Sequence, residues 1–188
     1  MCRNRISSKF RRHTQTGFTL IEFLVTISII GILAVVALPA LQDFLERRRL
    51  INATQLVYEQ LQIARSEAIR QSRDVGVYFA VDGSDTWSLA ISSNTACDPA
   101  ANTDCELVTT GGTMNYRFDD APFNAISISK SGGASMTFEW MRSQVAGNAT
   151  ITLTSPHSQT QIVVSRLGRV RVCSPSGTGR VGNYPVCT

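Results

Sequence analysis

Residues 18–41 read FTLIEFLVTISIIGILAVVALPAL, an apolar run broken by a single charge, Glu22. A run of this length can cross a bilayer as a helix. It exceeds the apolar core of a secretory signal, which is roughly 7–15 residues. Inside a bilayer each backbone polar group must be bonded within the segment, so a helix is the form open to one run. A carboxylate at that depth is costly and calls for a partner. Near the interface it can instead reach water. The flanks orient the segment: residues 1–17 carry Arg3, Arg5, Lys9, Arg11 and Arg12 and no acid. Such a leader stays in the cytoplasm and the rest of the chain lies outside.

Cutting the Gly17–Phe18 bond would remove all the leader cations and create an α-amine. That amine could pair with Glu22 of a neighbouring subunit as helices pack. On these residues the stretch TGFTLIEFLVTISIIGILAVVALP resembles the class III signal of type IV pilins and type II secretion pseudopilins. The match rests on Gly17, Phe18, Glu22 and Pro39. The resemblance implies cleavage after Gly17 by a prepilin peptidase and N-methylation of Phe18. It also gives Glu22 a role in filament assembly with other major and minor pilins, and makes Pro39 a break or bend in the helix. It implies an inner-membrane stage with the body in the periplasm, then a place in a pilus, near the tip.

Beyond Pro39, the residues Leu50, Ala53, Val57, Leu61, Ala64 and Ala68 recur at helical spacing and make one apolar stripe. The triplet Arg47, Arg48 and Arg49 reads as a solvated collar rather than a phosphate patch. Helical character stops near Asp74, where β-branched alternation begins. Strands are expected at 75–81, 87–92, 115–118, 125–129, 136–140, 150–154, 161–165 and 169–172. A turn is expected at 82–85 and a loop-rich segment over 93–114. The organisation is then a leader (1–17), a membrane and filament-core helix (18–41), an amphipathic helix (42–74) and a β-rich body (75–188). The expected fold class is α+β, a long N-terminal helix packed on antiparallel sheet. LQIARSEAIRQSRDVGVYF and IVVSRLGRVRVC resemble the GspH/FimT group of minor pilins and pseudopilins, whose body is sandwich-like. Within that group the chain is most similar to the FimT branch.

Cys97, Cys105, Cys173 and Cys187 fall in two close pairs. Four cysteines allow three connectivities; sequential neighbours are the simplest, each closing a Gly/Ser/Asn/Pro-rich loop. A zinc site is the competing reading, but no pair has CxxC spacing. Disulfides imply an oxidising compartment. No catalytic constellation is found: beyond the leader the sole histidine is His157, and there is no Gly-rich phosphate loop and no H-E-x-x-H. The chain reads as a non-enzyme that needs no cofactor and no metal. Trp87 and Trp140 read as core or sheet-face residues.

The last acid is Glu139, and after it come Arg142, Arg166, Arg169, Arg171 and Arg180. In GRVRV the alternation puts Arg169 and Arg171 on one face, about 6.5–7 Å apart, with Val170 and Val172 on the other. One reading is a charged edge strand that resists aggregation. The other is an anion site, since guanidinium groups grip phosphate oxygens in pairs. Tyr184 could add a stacked base. Gly168, Arg169, Val170 and Arg171 match a Gly-Arg-x-Arg signature that FimT-type proteins carry and that is linked to DNA binding in natural transformation. The resemblance therefore implies a DNA site at Arg166, Gly168, Arg169, Arg171 and Arg180. A purely structural role in priming a pilus or secretion pseudopilus is the alternative.

Overall fold

The computed structural model describes residues 18–82, 86–109, 111–177, 179–181 and 184–187. The leader with Gly17, and most of the expected 82–85 turn, lie outside the described residues. The chain divides into two compact units, Met1–Leu41 and Gln42–Thr188.

One helix, α1 (Leu20–Gln71), supplies both units. Its start is capped by Thr19, whose hydroxyl accepts the Glu22 N–H at 3.3 Å. Glu22 therefore sits in the first turn, where a carboxylate complements the positive end of the helix. From Leu20 to Leu41 the side chains are exposed, except Ala34, which is half-buried. The two hydroxyl side chains in this stretch are satisfied internally: Thr26 and Ser28 donate to the carbonyls of Phe23 and Leu24, both at 2.8 Å. Of the break or bend expected at Pro39, the break does not occur, since α1 continues through it. Proline removes one hydrogen bond and crowds the preceding turn. The residues around it are mostly Ala, Val and Leu, and Ala and Leu are strong helix formers.

In the second unit the expected stripe is buried in full: Leu50, Ala53, Val57, Leu61, Ala64 and Ala68. Thr54 and Gln60 are buried with it. The Thr54 hydroxyl donates to the Leu50 carbonyl or pairs with the Thr160 hydroxyl, each at 2.7 Å. The helix closes with Ser72 in the left-handed region (φ 52). There Arg73 N–H reaches the Ala68 carbonyl and Ser72 N–H reaches Ile69, a Schellman closure.

The strands are β1 (Val75–Val81), β2 (Trp87–Ser92), β3 (Glu106–Thr109), β4 (Gly112–Asn115), β5 (Arg117–Asp119), β6 (Ser127–Lys130), β7 (Ser135–Phe138), β8 (Ala149–Thr154), β9 (Gln159–Val164) and β10 (Val170–Cys173). They form sheets of order β5-β2-β1-β7 and β10-β9-β8-β6, with β3-β4 as a separate hairpin, and every pairing is antiparallel. The class is α+β as expected. The β3-β4 hairpin lies inside the segment expected to be loop. Leu107 is its one buried side chain, so it shows almost no apolar alternation. The inward faces of both large sheets and the helix stripe share one core.

The helix lies along β9. Glu46 meets His157, Thr54 meets Thr160, and Arg65 lies beneath Gly168. Both elements are therefore followed in the same direction, from a His157 end to a Gly168 end.

Candidate nucleic-acid interface

The β9–β10 hairpin carries Arg166, Arg169 and Arg171 of the predicted set. Its turn is Ser165-Arg166-Leu167-Gly168, closed by Gly168 N–H to the Ser165 carbonyl at 2.8 Å and Ser165 N–H to the Arg169 carbonyl at 3.0 Å. Gly168 takes φ +70. This is the three-residue hairpin in which a tight turn is followed by a left-handed bulge residue. A Cβ at Gly168 would stand 2.0 Å from the Ser143 carbonyl oxygen. Glycine is thus required here by the backbone, whatever the hairpin binds.

β10 begins at Val170, so Arg169 is the residue after the bulge rather than part of the strand. Arg171 opposes Val163. The expected alternation holds in part: Arg169 and Arg171 are exposed and Val170 is buried, but Val172 is only half-buried, and Cys173, which shares the arginines' side of the alternation, is buried. Arg166 is also exposed, and its N–H is held by Asn148 Oδ1 at 2.9 Å. Among the described residues no carboxylate pairs with Arg166, Arg169 or Arg171.

Two further cations join this end, and the sequence reading left them out of the site. Arg142 is exposed on the turn 140–143, which is closed by Glu139 N–H to the Gln144 carbonyl at 2.9 Å. That turn is tied to the hairpin by Val145 N–H to the Arg166 carbonyl, also at 2.9 Å. Arg65 of α1 has a buried Nε with no hydrogen-bond partner among the described residues. A lone arginine in a helix pattern carries no sign of this placement.

Arg180 is not brought to the others. It bridges in parallel to Gln159, at the opposite end of β9. That is about 13 Å along the strand from the residue facing Arg171. Its guanidinium donates to the Tyr184 carbonyl at 3.3 Å. Tyr184 is half-buried against the core, which leaves less of its ring free to stack on a base. The tail is fixed on the body. Ser174 N–H reaches Pro185, Cys187 N–H reaches Ser174, and Val181 is fully buried. The disulfides Cys97–Cys105 and Cys173–Cys187 join the sequential neighbours.

The tryptophans separate. Trp87 is 2 % exposed, donates Nε1–H to the Ile126 carbonyl at 2.8 Å and stacks on Phe123. Trp140 lies beyond the end of β7 and is 40 % exposed, contrary to its reading as core or sheet face. Its N–H is held by Asp74 Oδ1 at 3.0 Å.

At the His157 end the histidine sits in an exposed turn but is engaged. His157 Nδ1 lies 2.9 Å from Glu46 Oε2, while Glu46 Oε1 accepts from Ser155 at 2.6 Å and His157 N–H at 2.9 Å. Burial alone would raise the Glu46 pKa, but the bonds from Ser155 and His157 outweigh it and lower it. The bond from Glu46 raises that of His157. Asp43 brings a third ligand atom within 4.8 Å of these two. Both Glu46 oxygens are already occupied by the protein, so the group acts as a clamp between α1 and the β8–β9 turn. Arg47, Arg48 and Arg49 are exposed, and Arg48 lies over the Phe44 ring at 5.1 Å.

The chain is similar to known proteins in several respects. The model of the prokaryotic N-terminal methylation motif matches residues 12–38. A fimbrial protein of Moraxella nonliquefaciens is 43 % identical over 74 residues, 39 % of this chain and 44 % of that protein. The fimbrial protein EcpC of Eikenella corrodens matches over 29 % of its length. The chain thus spans less than half of these two relatives. The pilin-like protein PilA1 of Thermus thermophilus is 28 % identical over 162 residues, covering 85 % of this chain and 99 % of that one. Among solved structures, the type IV minor pilin FimU of Pseudomonas aeruginosa is similar at TM-score 0.49 and 17 % identity, covering 71 % of this chain and 98 % of that chain. The minor pseudopilin EpsH of Vibrio cholerae is similar at 0.46 and 16 %, covering 66 % and 96 %. The model of the type II transport protein GspH matches residues 53–168, more than half of the chain, and the chain belongs to the GspH family.

Proposed function

We propose that the chain is a minor subunit of a type IV pilus that holds extracellular DNA, largely without sequence preference, during uptake for transformation. The filament part is supported by the exposed apolar stretch of α1, which bilayer or neighbouring helices must cover. In this reading a prepilin peptidase cuts after Gly17, Phe18 is methylated, and Glu22 pairs with a neighbour's new α-amine. The subunit waits in the inner membrane and then joins other pilins, near the tip.

The DNA part rests on one observation, the exposed arginines 166, 169 and 171 without a carboxylate partner among the described residues. Phosphate oxygens suit such a cluster. Three contacts give weak binding with a salt slope of about −3, so useful capture needs several subunits together. The test is duplex binding by the full-length protein in detergent micelles across a salt series. A slope of about −3, abolished in the Arg169→Gln/Arg171→Gln variant, supports the reading. No binding at low salt sinks it.

A structural reading competes, as a subunit that primes a pilus or secretion pseudopilus. It is favoured by Gly168, whose presence the backbone already explains. Gene deletion separates the two. Lost filaments point to priming, and lost DNA uptake with normal filaments points to the DNA role.

A further inference from the structure

The Gly168 end carries more than charge. Leu167 at the hairpin tip is 69 % exposed, and Met141 on the adjoining turn is 70 % exposed. Trp140 stands beside Met141, and the two turns touch through Ser143 and Gly168. Arg142, Arg166 and Arg169 lie on the same two turns. Exposed Asp74 and Glu139 border them, and Asp74 is engaged with the Trp140 N–H.

A duplex offers an exposed indole no base face to stack on unless a base step is unstacked. Its outer surface is sugar and phosphate, and its base faces are stacked inside. A single strand presents both phosphates and base faces, and an exposed indole among cations is a stacking platform for it.

We infer that the two turns form a composite site for single-stranded DNA. Arg142, Arg166 and Arg169 hold phosphates, and Trp140 stacks on a base with Met141 and Leu167 beside it. This rests on the DNA reading above and deepens it.

The test uses the full-length protein in detergent micelles with a labelled oligothymidine and a labelled duplex of the same length. Trp87 is buried, so quenching of tryptophan emission on binding reports Trp140. Trp140→Ala should weaken single-strand binding about fivefold or more and leave duplex binding unchanged. Trp140→Phe should restore most of it, and Leu167→Ser should give a smaller loss of the same selectivity. If Trp140→Ala changes neither ligand, or both equally, the composite site is wrong while the duplex contact stands. If it spares DNA binding but blocks entry into filaments, the apolar patch is a pilin contact and the inference falls. If the wild type binds neither ligand, the DNA reading fails and takes this one with it.

Discussion

The two ends of β9 hold basic residues of the same chain in opposite states. At the His157 end the imidazole is matched by Glu46, and Arg180 is turned onto the Tyr184 carbonyl. At the Gly168 end Arg166 and Arg169 are exposed without a carboxylate partner among the described residues, and Arg142 and Arg65 crowd the same corner. Cations spread evenly along the sequence tail are therefore not equivalent. One end uses its charge to hold the fold together, and the other leaves it exposed.

The largest way to break this contrast is at the turn that builds the Gly168 end. Gly168→Ala adds a Cβ 2.0 Å from the Ser143 carbonyl at φ +70. Left-handed strain and overpacking together should cost about 4 kcal/mol, read as a lower urea midpoint of the full-length protein's body.

Next is the His157 end, where the tail is tied down by Cys173–Cys187. The Cys173→Ser/Cys187→Ser variant should lose about 3 kcal/mol by the chain-entropy argument. It should also free the backbone around Arg180, visible as faster amide exchange at Ser174 and Cys187.

The smallest effect is in the clamp itself. A raised His157 pKa contributes stability below its ordinary 6.5 that is lost as pH rises through the folded value. A lowered Glu46 pKa contributes above its ordinary 4.5 and is lost as pH falls through the folded value. The pair is therefore most stabilising between these limits. Glu46→Gln should lower the His157 midpoint seen by NMR. An unchanged midpoint would mean the contact does not form in solution.

Much of this contrast was hidden in the sequence, for physical reasons. The helix stripe was legible because Leu50 through Ala68 follow one period and the burial obeys it. The outward Arg169 and Arg171 and the inward Val170 were legible in the same way, whereas the burial of Cys173 on the arginine side was not. Thr54 was not, because its partner Thr160 lies 106 residues away. The β3-β4 hairpin was missed because Leu107 alone points inward. Trp140 looked like a strand residue because β7 was read two residues too long. Arg180 looked like a member of the cluster because sequence distance is short, but the disulfide-bound tail folds back to Gln159 and carries it away. Arg142 and Arg65 join the site through contacts distant in sequence, Val145 with Arg166 and Gly168 with Ser143 and Arg65.

The most direct measurement compares duplex DNA binding by the full-length wild type, Arg169→Gln/Arg171→Gln and Arg180→Gln in one salt series. The account predicts that the double variant loses binding and that Arg180→Gln keeps the wild-type affinity and slope. Equal loss from Arg180→Gln, or full binding by the double variant, would contradict it.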